Sequence, residues 1–190
     1  MIQTNPFGGQ FLVAMPHMPD ARFLKSVILL CGQDDRGVVG FIINRLIGTC
    51  SVKDLIDQLK IPSYTKEKIP YILFGGPVDM TRGFVLHTPD YKTAETLTII
   101  PGDQGVCLTS TLDVLTAISV NEGPRKYMVA LGYSGWDEGQ LEEELTSNTW
   151  LLTKADPELV FDNDISTKWS RVFESLKIDP THLSLTTGQA

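Results

Sequence analysis

Short runs of β-branched and aromatic residues, separated by turn-forming residues, dominate the first part of the chain. Three such runs cover residues 11–15, 26–31 and 38–44, and each predicts a β-strand. Between the second and third runs, residues 34–37 read Asp-Asp-Arg-Gly, so we predict a hairpin there. The runs are apolar at nearly every position, which indicates that these strands are covered on both faces.

Apolar residues at helical spacing predict the helices. Ser51 and Asp54 form a capping signature, and the residues after Ser51 carry an apolar face at i, i+3, i+4 and i+7. A second helix is predicted from 112 to about 120. An acid-rich helix contains Leu141, and a last amphipathic helix, which includes Trp169, is expected to cap one face or edge of the sheet.

Further β-like runs follow the first helix, at residues 71–74, 83–87, 97–100, 105–108 and 126–131. Strands and helices do not alternate regularly, so the pattern favours a mixed α+β fold over a doubly wound parallel sheet. The length of 190 residues fits a single domain spanning 1–190. We expect the termini, about 1–8 and 185–190, to be flexible.

Charge and cysteine content narrow the class of protein. The 16 basic and 23 acidic residues give a net charge of −7, which opposes a surface that binds nucleic acid directly. The N-terminus lacks the basic and apolar regions of a signal peptide, and no apolar run is long enough to span a membrane. The three cysteines, Cys31, Cys50 and Cys107, are therefore interpreted as free thiols in a reducing cytoplasm, with Cys31 and Cys107 acting as small buried hydrophobes.

The segment Gly132-Tyr133-Ser134-Gly135-Trp136 lies between a predicted strand and the acid-rich helix. It resembles the G-x-S-x-G nucleophile elbow of hydrolases, although Trp136 replaces the last glycine. Ser134 is thus a weak catalytic candidate, with His182 downstream as a base. The simpler interpretation makes Ser134 the N-cap of the helix, with Asp137 and Glu138 complementing its dipole.

Other chemistry has weaker support in the sequence. The acids that follow Ser134 would repel a phosphate, and the run Glu142-Glu143-Glu144 is interpreted as a solvated helix face. Gly75-Gly76-Pro77 fits either a close ligand approach or a structural bend, and the bend is favoured. The three histidines are scattered, so we predict no metal site and no cofactor.

Several segments together resemble the YqgE/AlgH family of bacterial proteins. They are residues 9–16, 40–45, 75–78, 82–88, 130–136, 139–144 and 148–151. The resemblance, from about Phe11 to about Trp169, implies a cytoplasmic α+β protein with a split, partly barrel-like sheet surrounded by helices. It implies no established activity, although some members are described as transcriptional regulators. The family pattern also accepts alanine at the Ser134 position, which opposes a shared serine nucleophile.

The leading hypothesis is a non-catalytic cytoplasmic binding or regulatory protein, with a protein or a small molecule as partner. Polar and glycine-rich residues at the ends of elements are the ligand-binding candidates. They are Asn44, Gly75, Gly76, Pro77, Tyr133, Ser134, Gly135, Trp136 and Gln140. We expect Asn44, the Gly75–Pro77 segment and the Tyr133–Trp136 segment to lie near one another. The alternatives are a transcriptional regulator, acting indirectly or through DNA, and a hydrolase that uses Ser134.

Overall fold

A computed structural model describes residues 7–34, 37–63 and 71–183. The strands are β1 (Gln10–Ala14), β2 (Val27–Asp34), β3 (Gly37–Ile42), β4 (Leu46–Ser51), β5 (Tyr71–Phe74), β6 (Val78–His87), β7 (Leu97–Ile100), β8 (Val106–Thr109), β9 (Tyr127–Trp136) and β10 (Trp150–Lys154). The α-helices are α1 (Val52–Gln58), α2 (Leu112–Ser119), α3 (Gln140–Thr146), α4 (Pro157–Val160) and α5 (Lys168–Ser175). Short 3-10 segments lie at Ala21–Phe23, Ile165–Thr167 and Pro180–His182.

The strands form a mostly antiparallel sheet in the order β10-β1-β2-β3-β9-β6-β8-β7. Outside this order, β4 pairs with β5, and β5 pairs in parallel with β9. Phe11 in β1 and Ile99 in β7, which stand near opposite ends of the order, belong to the same core. The sheet therefore curls into a half-barrel, and the predicted single-domain α+β fold is confirmed, as is the hairpin of β2 and β3.

Both faces of the sheet are covered, as the uninterrupted apolar runs predicted. Phe11 and Val27 point into a first core that includes side chains of α4 and α5, whereas Leu12 and Ile28 point into a second core beside α3. A third core lies beneath α1 and α2. Because successive side chains of a strand alternate between faces, each of these strands needs apolar residues at every position.

The first and last predicted helices are confirmed. Ser51 caps α1 in both directions: its Oγ accepts the backbone N–H of Asp54 at 3.2 Å, and the Asp54 carboxylate accepts the N–H of Ser51 at 2.8 Å. Helix α5 buries Val172 and Phe173 in the first core, so it covers one face of the sheet as expected.

Two strands escaped prediction and three others are longer than expected. Strands β4 and β10 were not predicted, β2 continues to Asp34 rather than ending at 31, β6 begins at Val78 rather than 83, and β9 continues to Trp136 rather than ending at 131. In β9 the alternation of faces changes at Gly132, which has a φ of +68°. Met128 faces the first core before this glycine and Tyr133 packs against it afterwards, so the period of two is interrupted as in a β-bulge.

Within the described ranges, no helix is long and apolar enough to cross a membrane. The prediction about the termini falls outside the described residues, except at residues 7 and 8, where Phe7 packs against the second core. The tip of the predicted hairpin, residues 35 and 36, also lies outside them.

Candidate functional site

Most of the predicted binding residues meet where the chain crosses β9. Leu73 of β5 and Phe84 of β6 both belong to strands that pair with Ala130 of β9, so β5 and β6 must lie on its two opposite edges. The segment Gly75–Pro77 connects these edges by passing over β9 at Gly132–Ser134. We call this arrangement the β9 crossing.

The β9 crossing is packed backbone against backbone. A Cβ atom on Gly75 would lie 2.3 Å from the carbonyl oxygen of Gly132, and one on Gly76 would lie 2.2 Å from the carbonyl carbon of Tyr133. Gly76 also has a φ of +155°, which side chains rarely permit. These two positions are therefore glycine because two chain segments approach each other closely there. The space between the segments is too small for a ligand.

Ser134 lies within β9 and its side chain is buried. Its Oγ donates a hydrogen bond of 3.3 Å to the carbonyl oxygen of Gly75. The prediction that Ser134 caps the following helix is wrong: the strand runs through it, and the N-cap of α3 is Gly139, with a φ of +81°. The recorded partner of the hydroxyl is an amide carbonyl and not a histidine or a carboxylate, so the nucleophile hypothesis gains no support.

Gln140 and Trp136 contribute to the binding of one carboxylate. Glu144 accepts the indole N–H groups of Trp136 at 3.0 Å and of Trp150 at 2.6 Å, and the amide of Gln140 at 2.8 Å. The interpretation of this acidic run as a solvated face is therefore wrong for Glu144, which ties α3 to β9 and β10. Trp136 and Trp150 are buried side chains of β9 and β10, and they share the second core with Leu141 of α3.

A small recess of about 180 Å³ lies beside the β9 crossing. It is lined by Gly37, Val38, Val39, Val78, Tyr133, Gly135, Trp136 and Asp137. A Cβ atom on Gly135 would lie 3.5 Å from the Tyr133 ring, an ordinary contact distance, so this glycine is not required by packing. The recess is largely apolar, with Asp137 as its one charged residue.

Asn44 holds a different part of the molecule. Its Oδ1 accepts the backbone N–H of Val27 at 2.8 Å, and its Nδ2 donates to the carbonyl of Lys25 at 2.8 Å. Next to it, Arg45 donates to the carbonyl of Leu24 at 3.1 Å and to that of Arg22. Together, Asn44 and Arg45 fix the loop that enters β2.

The clamped loop forms one wall of a larger recess, of about 310 Å³, and α5 forms the opposite wall. We call it the cationic recess; its lining residues are Leu24, Lys25, Asn44, Arg45, Ser166, Trp169 and Ser170. Lys25 has a left-handed backbone with a φ of +53°, and its ammonium lies 5.6 Å from the centre of the Trp169 ring. The Trp169 indole is fixed in turn, since it donates to the carbonyl of Ala14 at 2.8 Å.

The cations of the cationic recess form no ion pairs with the residues that the structure describes. Both hydrogen bonds of the Arg45 guanidinium reach backbone carbonyls. Within the described part of the chain, neither Lys25 nor Arg45 forms a salt bridge, whereas the neighbouring Arg22 pairs with Asp20 at 2.7 Å. The recess therefore concentrates positive charge in an acidic protein.

The structure thus divides the predicted binding residues among several places. Gly75, Gly76, Pro77, Tyr133 and Ser134 meet at the β9 crossing. Gly135 and Trp136 line the small recess, Gln140 holds Glu144, and Asn44 lines the cationic recess. The chain just before Asn44 does contact the crossing, because the N–H of Ile42 donates to the carbonyl of Gly75 at 2.9 Å. No sequence pattern marked Leu24, Lys25, Ser166, Trp169 or Ser170 as site residues, and Arg45 was marked only by its place beside Asn44 in a family-like motif.

The other ionisable groups of interest lie inside the protein. Lys168 is fully buried, and its Nζ donates to the carbonyl of Val160 at 2.8 Å. Burial lowers the pKa of Lys168 to about 8, and the carboxylate of Asp162 opposes part of that change. Burial also lowers the pKa of His87, whose ring nitrogens bond to Thr88 and Thr109.

Cys31 and Cys107 are buried, as predicted, and burial raises the pKa of both thiols. Among the residues that the structure describes, no group of three or more histidine, cysteine, aspartate or glutamate side chains could hold a metal ion.

Comparison with known proteins identifies related sequences along nearly the whole chain. A family model described as AlgH-like matches residues 11–181. A UPF0301 protein of Mesorhizobium japonicum is 44% identical over 189 residues, covering 95% of this chain and 91% of its own. A UPF0301 protein of a Jannaschia species is also 44% identical, covering 98% and 97% of the two chains.

Two solved structures resemble the fold. The AlgH protein of Pseudomonas aeruginosa, determined in solution, matches with a TM-score of 0.75 and 36% identity over 100% of both chains. A crystal structure of a protein from Corynebacterium diphtheriae matches with a TM-score of 0.71 over 92% of this chain and 90% of its own. Because the latter is only 18% identical, it supports the fold alone.

Proposed function

This chain belongs to the AlgH-like family, and within that family we propose that it is a non-catalytic cytoplasmic binding protein whose ligand occupies the cationic recess. The observation that carries the proposal is the held conformation of Lys25. A left-handed backbone costs a residue with a side chain roughly 1–2 kcal/mol, and such a conformation persists only where the surroundings impose it.

Two neighbouring residues impose this conformation. Asn44 binds the carbonyl of Lys25 and the N–H of Val27, on either side of Ser26, and Arg45 binds the carbonyl of Leu24 just before Lys25. The clamp fixes the backbone of Lys25, and from this backbone the side chain extends over Trp169 at the recess. A side chain on a backbone that is fixed in this way loses less conformational entropy when a ligand binds.

The arrangement favours binding over catalysis. Ser134, which resembled a nucleophile, is buried and its hydroxyl donates to a backbone carbonyl. Beside Lys25 in the recess lies Asn44, whose amide binds the Lys25 carbonyl and which is neither an acid nor a base. Cytoplasmic location is supported by the three cysteines, which the structure leaves as free thiols.

A regulatory role that acts indirectly is compatible with this proposal, since a bound ligand can change how a protein meets its partner. Direct recognition of DNA has less support, because the net charge of −7 opposes it and the cationic recess is a concave site of small volume.

Saturation-transfer NMR on the full chain tests the location of the site. The probes are four compounds of similar size: phenyl phosphate, phenylacetate, benzyl alcohol and benzylamine. Ser170→Phe places a ring in the recess, and Ser175→Phe is its matched control. Both serines lie on α5 and donate a hydroxyl to the backbone three residues earlier, but Ser175 is outside the recess.

We expect at least one probe to bind the wild type and the Ser175→Phe variant but not the Ser170→Phe variant. Circular dichroism checks that both variants fold. If no probe binds the wild type, or if Ser170→Phe leaves binding unchanged, the cationic recess is not the ligand site.

A further inference from the structure

We infer that the cationic recess recognises a small organic molecule through a phosphate or carboxylate group held by Lys25 and Arg45. This inference rests on the proposed function and specifies the ligand class. The recess volume of about 310 Å³ corresponds to roughly ten water molecules' share of the liquid, so it accommodates an anion together with a small organic body.

The ligand class follows from asking which polar groups of the recess are already engaged. The amide of Asn44 uses both its oxygen and its nitrogen on the backbone of the clamped loop. Ser166 donates its hydroxyl to Asp164 at 2.9 Å, and Ser170 donates to the carbonyl of Thr167 at 3.0 Å. The Trp169 N–H is bonded to Ala14. Discrimination therefore falls to the two cations.

Neither cation has an ion-pair partner among the residues that the structure describes. Lys25 and Arg45 form no salt bridge in the described ranges, and the acids on neighbouring segments have donors of their own. Asp20 is held by Arg22, Asp162 by Arg171 at 2.8 Å, and Asp164 accepts the Ser166 hydroxyl. An oxyanion entering the recess would thus meet two cations that form no ion pair with a carboxylate of the described residues.

Arg45 contributes positive charge and a fixed arrangement of hydrogen-bond donors. Its guanidinium is oriented by two backbone carbonyls, so its direction is fixed before any ligand arrives. A guanidinium retains further N–H donors after making two hydrogen bonds, and its planar array of donors suits phosphate and carboxylate oxygens. Leu24, which is 47% exposed, and the Trp169 ring supply apolar surface for the organic body.

Fluorescence titration at low salt tests the inference, with Trp169 as reporter and the Trp169→Phe variant to assign the signal. The same four probes are used, together with inorganic phosphate as a competitor. Lys25→Gln removes one charge from the recess. Lys60→Gln is the matched control, because Lys60 is also exposed, also has a left-handed backbone with a φ of +57°, and does not line the recess.

We expect phenyl phosphate or phenylacetate to bind more tightly than the other two probes. Lys25→Gln should lower the affinity for the anionic probe by about tenfold, whereas Lys60→Gln should change that affinity by less than about twofold. Competition by inorganic phosphate for the phenyl phosphate site identifies phosphate as the recognised group; if phenylacetate alone binds, the group is a carboxylate.

Two results would overturn the inference. One is binding of benzyl alcohol or benzylamine at least as tight as that of the anions, and the other is an anion affinity that Lys25→Gln does not change. If the neutral or cationic probe binds and Ser170→Phe abolishes that binding, the recess remains the ligand site and only the ligand class is wrong. If no probe binds, both the site and the ligand class are wrong.

Discussion

The β9 crossing and the cationic recess use sequence motifs in opposite ways. At the crossing, Gly75 and Gly76 let one backbone segment lie directly on another, and the hydroxyl of Ser134 donates a hydrogen bond between the two segments. At the recess, Asn44 and Arg45 hold a loop in place so that a charged side chain faces an open space. The first region is closed by its motif, and the second is kept open by its motif.

This difference teaches that a dense motif does not mark a ligand site by itself. The glycine-rich segments and the G-x-S sequence resemble catalytic turns, yet they fix the path of the main chain. The residues of the recess come from three distant segments of the sequence, and only Asn44 and Arg45 belong to a motif. Substitutions in the two regions should therefore affect different properties, the fold in one case and binding in the other.

Gly76→Ala should have the largest effect of the substitutions considered. The added Cβ would meet the backbone of Tyr133 and Ser134 within 2.4 Å, and neither segment can move without breaking strand pairing. We expect the free energy of unfolding to fall by at least about 4 kcal/mol, or the protein not to fold. Urea unfolding followed by circular dichroism measures the change.

Gly135→Ala is the control for Gly76→Ala, because its Cβ meets only an ordinary contact at 3.5 Å. We expect it to change the free energy of unfolding by less than about 0.5 kcal/mol. Equal effects of the two alanines would show that the crossing is not the closed region described above.

The dependence of stability on pH tests the packing of α5, the helix that forms one wall of the cationic recess. Lys168 is buried there, one residue before Trp169. The pKa of Lys168 is about 8 in the folded protein, below its ordinary value of 10.5, so the unfolded chain binds more protons between these values. Stability should rise with pH through this interval, because burying the charged amine costs most below pH 8. Between full protonation and full deprotonation of Lys168, the free energy of unfolding should rise by about 3 kcal/mol.

Lys168→Met isolates this contribution, since the other titrating groups are common to both proteins. The difference in unfolding free energy between wild type and variant, measured from pH 7 to pH 10, should change with pH in favour of the wild type. A difference that is constant over this range would mean that the pKa of Lys168 is not lowered in the folded protein, because both states would then keep the proton throughout.

Asn44→Ala should have an intermediate effect, on both stability and binding. It leaves the N–H of Val27 and the carbonyl of Lys25 without their partners, so we expect a loss of about 2 kcal/mol in the free energy of unfolding. The freed loop should also bind phenyl phosphate more weakly in the titration described above.

Ser134→Ala is the counterpart of Asn44→Ala at the crossing. It removes one hydrogen bond of 3.3 Å, so a loss of about 0.5–1 kcal/mol is expected, with no change in affinity for the probe. A larger effect of Ser134→Ala on binding than of Asn44→Ala would place the ligand site at the crossing.

Local patterns predicted most of the fold. The capping signature at Ser51 and the apolar runs depend on neighbouring residues, and they gave the correct elements. The prediction of β9 ended too early, at 131, because Gly132 interrupts the alternation of faces and because Gly-x-Ser-Gly is typical of turns. Strand β10 was missed although its residues pair with β1, since that partner is far away in the sequence.

The candidate site was less predictable for the same physical reason. Asn44 could be singled out from a motif, but its role depends on hydrogen bonds to the loop around Lys25. Nothing in the sequence near Lys25 indicates that Trp169 lies beneath its ammonium, because only the curled sheet and α5 bring them together. Long-range packing decides which polar groups remain free, and a single sequence does not contain that information in local form.

The crossing also has a consequence for how the protein is made. The hydroxyl of Ser134 bonds to a carbonyl 59 residues earlier, and β9 leaves the ribosome after both of the strands that flank it. Until β9 arrives, β5 and β6 each have an unpaired edge open to other chains. The segment Gly75–Pro77 cannot adopt its final path before then, because the backbone on which it rests does not yet exist. The pairing of these two edges must therefore wait until the C-terminal half of the chain has been synthesised.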